Sequence, residues 1–171
     1  MTTTHRLVLL RHAKAEHGLD VPDVNRPLTV RGRRQSAEVG TALADAGLVP
    51  DLVLCSSSVR TRQTWELAKA RLGAEPPVTY ADELYDAGVD QVIAAVRAVH
   101  EAAGVVLVVG HEPAMSRTAA ALAALGSDEA TYARVQAGVP TGSWSVLAPI
   151  GPWADLARGS ARLLRLVVPA T

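Results

Sequence analysis

A few histidines and arginines occupy the positions from which chemistry on an anion could be run. The stretch LVLLRHAKAEHG, residues 7–18, passes from four aliphatic residues straight into Arg11 and His12. DLVLC at 51–55 is followed by Ser56, Ser57, Ser58 and Arg60, and VVLVVG at 105–110 by His111. Arg26 lies between the first two runs, in NRPLTVRG. A guanidinium offers forked donors that match phosphate oxygens. An imidazole beside it could attack phosphorus or carry a proton. The set suits a compact dianion, with Ser56 as a further donor to it.

Such residues need a frame that brings them together. RLVLL at 6–10, DLVLC at 51–55 and VVLVVG at 105–110 are dense in Val and Leu and do not alternate with polar residues. They predict strands buried on both faces, as in a parallel sheet covered by helices. Helices are predicted over 31–46, with Thr29 as N-cap, Gly47 past the end and Ala37, Leu43 and Ala44 near one face, and over 58–71, 89–102 and 113–125. GSWSVLAPI and SARLLRLVVPA predict a closing strand pair at the sheet edge. The alternation gives a three-layer α/β/α sandwich around a mostly parallel sheet. In such sheets ligands sit beyond the carboxyl ends of the strands, where Arg11, His12, Ser56, Arg60 and His111 fall. With no linker, repeat or low-complexity tract, residues 1–171 are read as one domain.

Composition narrows the classes of function. Seventeen basic and 17 acidic residues give a formal net charge of +0, so no global field draws the chain to nucleic acid or to an anionic membrane. Cys55 is the only cysteine, which leaves no internal disulfide or multi-thiolate metal site and suits a reducing cytoplasm. The N-terminal residues lack the long apolar core of a signal peptide, and the uncharged stretch 135–154 is broken by Gly and Pro. Neither G-x-G-x-x-G nor a Walker-type loop occurs, so no nucleotide cofactor is expected. Arginine beside the histidines would repel a dication, so no metal is expected either. A cysteine phosphatase loop needs five residues between cysteine and arginine. Arg60 follows Cys55 after four and Arg62 after six.

LVLLRHAKAE, RPLTVRGRRQSAE, LCSSSVRTRQTWELA and VLVVGHEPAMSRTA resemble, in that order, the motifs of the histidine phosphatase superfamily, also called phosphoglycerate-mutase-like. The small size and the RPLT variant are most similar to its SixA-type phosphohistidine phosphatase branch. The resemblance covers residues 5–125 or so. It implies that His12 is the nucleophile, that Arg11, Arg26 and Arg60 bind phosphoryl oxygens, and that His111 completes the site and stabilises the transition state. It implies two displacements at phosphorus, the second by water, with no cofactor. Ala13 replaces the glycine usual after the histidine, a small change.

Ester-cleaving members place a carboxylate between the second and last motifs, and ADELYDAG offers Glu83 there, flanked by Asp82 and Asp86. With Glu83 as general acid, small phosphate esters become substrates beside protein phosphohistidine. A third reading is a module that captures phosphate or phosphohistidine without turnover. Arg31, Arg33 and Arg34, at a predicted helix start where cations are disfavoured, are read as a solvated face, with docking of an acidic phosphoprotein as the alternative. His5, His17 and His100 are read as surface residues, and Glu112 is left outside the site.

Overall fold

The computed structural model describes residues 4–170. Six strands form one sheet: β1 (Arg6–Arg11), β2 (Leu52–Ser56), β3 (Val78–Ala81), β4 (Val105–Gly110), β5 (Trp144–Pro149) and β6 (Ala161–Val167), in the order β3-β2-β4-β1-β5-β6. The β1/β4, β2/β4 and β2/β3 pairs are parallel, and β5 runs antiparallel to both β1 and β6. The helices are α1 (Val30–Asp45), α2 (Val59–Lys69), α3 (Val89–Arg97), α4 (Ala114–Leu122) and α5 (Glu129–Gln136).

The two faces of the sheet hold two cores, because successive side chains along a strand point to opposite sides. Val8, Leu10, Val53, Cys55, Leu107 and Val109 pack with Val39, Leu43, Trp65 and Ala68 of α1 and α2. Leu7, Leu9, Leu54, Val106 and Val108 pack with Val92, Val96, Met115, Leu122 and Val135 of α3, α4 and α5. The result is the three-layer α/β/α sandwich with a mostly parallel sheet.

Local expectations need correction at several points. β3 and α5 lie outside the predicted elements. VTYA is short and only half-buried, and α5 carries a weak apolar stripe with just Thr131 and Val135 buried. α3 stops at Arg97 rather than near residue 102. The buried face of α1 is Gly32, Gln35, Ser36, Val39, Gly40 and Leu43, leaving Ala37 and Ala44 at the margin. Glycine is there for closeness: a Cβ on Gly32 would stand 2.0 Å from the Lys14 carbonyl oxygen, and one on Gly40 2.1 Å from that of Ala68. His5 is also not a surface residue. Its ring is buried and stacks on Trp153 at 4.4 Å, with Nε2 3.2 Å from Glu101.

Arg31, Arg33 and Arg34 are exposed, as are His17 and His100. No helix among the described residues is long and apolar enough to cross a membrane.

Candidate active site

The chain leaves β1 with its ladder still running: the Arg11 N–H bonds to Ser143 O at 3.0 Å and the His12 N–H to Gly110 O at 3.0 Å. Alternation then places His12 on the same face as Val8 and Leu10, toward α1 and α2, and Arg11 on the other. The next residues are pinned to both helices. Ala13 N–H donates to Thr64 Oγ1 at 3.0 Å, and Lys14 N–H donates to Gln35 Oε1 at 3.0 Å. From the other side, the Gly142 N–H donates to His12 O at 2.9 Å, at a φ of 75° that favours glycine.

Two parallel strands supply the rest. β2 ends at Ser56, and α2 starts immediately under an N-cap from Ser58, whose side chain accepts from Thr61 N–H. This short turn puts Arg60 in the first turn of α2, buried and aimed back at the end of β1. β4 ends at Gly110, which delivers His111. The two imidazoles stand with centroids 5.4 Å apart, and Arg60 spans them: Nε donates to His12 Nε2 at 3.3 Å, and Nη2 approaches His111 Nδ1 at 3.4 Å.

These partners decide the tautomers. His12 Nδ1 lies 2.7 Å from Ala13 O, which can only accept, so Nδ1 carries the proton and Nε2 keeps its lone pair. His111 Nδ1 faces a guanidinium that can only donate, so its proton is on Nε2, which donates to Ser56 Oγ at 2.8 Å. Both rings are held neutral. Burial, assisted by the charges of Arg60 and Arg11, pushes His12 down to about 3 and His111 to about 4.

Arg11 donates through Nη1 to Val139 O at 2.7 Å, while its buried Nε has no hydrogen-bond partner among the described residues. Burial also pulls this guanidinium below its usual value. Arg26 sits one carboxylate away from Arg60: its Nε donates to Asp23 Oδ1 at 2.8 Å and its Nη1 to Glu16 O at 2.7 Å. Ser56, expected to face the substrate, is fully buried with its hydroxyl accepting from His111. Glu83 is exposed, and among the described residues it has no hydrogen bond or ion pair to the cluster. Glu112 accepts from Ser116 N, Ser116 Oγ and Val139 N, which caps α4 rather than serving the histidines.

The sequence reading missed Asp23 and Tyr85. Asp23 lies in the 3-10 turn Asp23–Asn25, and its Oδ2 accepts from Arg60 Nη2 at 3.0 Å and from the Tyr85 hydroxyl. Tyr85 comes directly after the turn Asp82–Leu84 and sets its ring edge-on to His111 at 5.3 Å. Neither residue belongs to an apolar period. The one signal was proximity in sequence, Asp23 lying three residues before Arg26 and Tyr85 two after Glu83.

Comparison with known proteins agrees with this geometry. The sequence profile of the histidine phosphatase superfamily (branch 1) matches residues 7–88. An uncharacterised Mycobacterium tuberculosis protein is 38% identical over 161 residues, covering 94% of this chain and 99% of the relative. The candidate phosphohistidine phosphatase SixA of Nakamurella multipartitia superposes with a TM-score of 0.85 at 37% identity, covering 98% of each chain. The Agrobacterium tumefaciens candidate gives 0.80 at 28% identity, covering 97% of this chain and 99% of that one. With four motifs in order, a phosphoglycerate-mutase-like fold and these relatives, the chain belongs to the histidine phosphatase superfamily of phosphatases, in its SixA-type branch.

Proposed function

We propose that the protein removes the phosphoryl group from phosphohistidine on another protein, by way of a phospho-His12 intermediate. The observation that carries this reading is the state of His12: its Nδ1 proton is spent on Ala13 O, and its Nε2 lone pair is directed at Arg60 Nε. A neutral imidazole whose lone pair is engaged only by a long contact, 3.3 Å from Arg60 Nε, becomes a nucleophile once a phosphoryl oxygen takes over that donor. In the first step, Nε2 forms a bond to phosphorus as the bond from phosphorus to the substrate imidazole breaks. That imidazole leaves as a neutral ring when its other nitrogen carries a proton. In the second step, water forms the new bond to phosphorus, the bond to Nε2 breaks, and inorganic phosphate departs.

Arg60 Nε and Nη2, directed at the two imidazoles, and the unpartnered Arg11 Nε are the donors best placed to meet phosphoryl oxygens. Arg26 adds charge from behind Asp23. Such fixed donors act by positioning and charge stabilisation, the terms that dominate phosphoryl transfer. A dianion near His111 Nδ1 favours its protonated form, which adds a donor as charge builds. A route without metal is supported by the charge beside the two histidines, since the guanidinium of Arg60 stands against both rings.

The preference for phosphohistidine over an ester rests on the carboxylate that the cluster itself holds. Asp23 is the one carboxylate on this cluster among the described residues, and the Tyr85 hydroxyl, with Arg26 and Arg60, holds it well below the usual carboxylate range. It stays ionised and has no proton to give to an alkoxide. A protonated imidazole needs none. The lone buried Cys55 fits a reducing compartment, and we place the reaction in the cytoplasm.

The test is phosphate release by wild-type protein and His12→Ala, from a histidine-phosphorylated carrier domain and from an aryl phosphate in parallel. Release from the carrier, absent in His12→Ala and slower by at least about 100-fold from the aryl ester, is the expected result. Equal or faster turnover of the ester would replace the proposed substrate class. Binding of phosphate without release from either would leave a capture module.

A further inference from the structure

We propose that Asp23 and Tyr85 form a positioning pair for Arg60, fixing the outer edge of its guanidinium so that its inner edge faces His12 and His111. This rests on the reading that Arg60 binds the transferring phosphoryl group.

The guanidinium uses two edges. On the inner edge, Nε and Nη2 approach the histidines at 3.3 and 3.4 Å, long for N–H···N contacts and too weak to hold a side chain in place. The outer edge is gripped. Nη1 donates to the Asp23 main-chain carbonyl at 2.8 Å, and Nη2 donates its other proton to Asp23 Oδ2 at 3.0 Å. One residue thus offers the fork of Arg60 two acceptors, one from the backbone and one from the carboxylate. Charge-assisted bonds of this kind carry geometric specificity as well as energy.

Asp23 is itself held from three directions. The Tyr85 hydroxyl donates to Oδ2, Arg26 Nε donates to Oδ1 at 2.8 Å, and the 3-10 turn is closed by Asn25 N–H to Pro22 O at 2.9 Å and Arg26 N–H to Asp23 O at 3.1 Å. Tyr85 also touches both partners of the reaction centre. Its ring lies 5.7 Å from the Arg60 guanidinium carbon and edge-on to His111. The segment that carries Glu83 also delivers, two residues later, a phenol whose proton is committed to Asp23.

The physical need is twofold. Arg11, Arg26 and Arg60 converge on one site, and Asp23 supplies the negative charge that lets Arg26 and Arg60 lie close together. In addition, a guanidinium that must meet phosphoryl oxygens as they move in line gains from being oriented before the substrate arrives. Asp23 and Tyr85 do not touch the reacting atoms in this arrangement and act through Arg60.

The experiment is a mutant cycle on whichever phosphoryl substrate the wild-type protein turns over: Asp23→Ala, Arg60→Ala and the double variant, with Asp23→Asn and Tyr85→Phe alongside. Asp23→Ala is expected to lower kcat by about 10- to 100-fold while KM moves by less than about threefold. Asp23→Asn, which keeps an acceptor, falls between Asp23→Ala and wild type. Tyr85→Phe loses about three- to tenfold. In the Arg60→Ala background, Asp23→Ala costs at most about threefold further, the share owed to Arg26, since the residue it chiefly positions is gone. A loss carried in full in that background, or wild-type kcat in Asp23→Ala with Arg60→Ala inactive, overturns the proposal alone. Full activity in Arg60→Ala overturns the reading of Arg60 and the proposal with it. Should Asp23→Ala fail to fold by its thermal transition, Asp23→Asn takes its place in the cycle under the same criteria.

Discussion

His12 and His111 are buried next to guanidinium groups, and both circumstances disfavour imidazolium. Their C2 proton resonances are therefore expected to stay at the neutral position from pH 8 down to pH 5, in an NMR titration assigned with His12→Gln and His111→Gln. A midpoint near 6.5 for either would contradict the burial argument. Stability depends on pH with a definite sign. Below the ordinary imidazole value the unfolded chain takes up a proton at each of these positions and the folded chain does not, so folding is stabilised fully above about pH 6.5 and progressively less as pH falls toward the folded values of about 3 and 4. Between pH 7.5 and 5 the loss is about 2 kcal/mol for each histidine. Urea unfolding at the two pH values should show this loss, and His12→Gln should show a smaller one.

Helix placement depends on two glycines that propensity alone would replace. Alanine in a helix interior is favoured over glycine by about 1 kcal/mol, yet at Gly40 its Cβ would lie 2.1 Å from the Ala68 carbonyl oxygen of α2. Gly40→Ala is expected to lower stability by about 1–3 kcal/mol, measured by chemical unfolding, as the α1/α2 packing opens. At Gly32 the same change meets the Lys14 carbonyl at 2.0 Å, two residues from His12. Gly32→Ala should therefore lower kcat as well as stability, whereas Gly40→Ala leaves kcat of the remaining folded protein within about threefold of wild type. The start of α1 was legible because Thr29 caps Gly32 N–H at 2.9 Å, a local device with a local signature. The inward face was not: glycine, glutamine and serine reach the interior there by closeness and hydrogen bonding, which a hydrophobic period does not register.

Across the whole molecule the site lies at one end of the sheet and little chemistry gathers at the other. A cavity of about 680 Å³ there is lined by His5, Arg6, Glu101 and Arg162, with His5 committed to Trp153 and Glu101. Near the site end, Cys55 lies one residue before the end of β2 with no exposure, and burial pushes its thiol up to about 12. It is expected to resist a thiol reagent such as Ellman's in the native state and to react at the rate of global opening, so labelling should slow or accelerate with stability across the variants above. Fast labelling under native conditions would mean that β2 opens independently of the core.

The amino-acid sequence by itself determined the frame and the actors. Unbroken Val and Leu runs at β1, β2 and β4 read as strands buried on both faces, and the residues just past the end of each run share one edge by the rule of parallel sheets, so Arg11, His12, Arg60 and His111 were legible together. Tertiary structure alone decided how they are held. Ser56 stands behind His111, Glu83 stays in solvent, and Asp23 and Tyr85, separated by 62 residues, meet over Arg60. These are polar contacts between loops, set by distance and direction in space. A one-dimensional pattern reports burial and periodicity, and a hydrogen bond between two loops has neither.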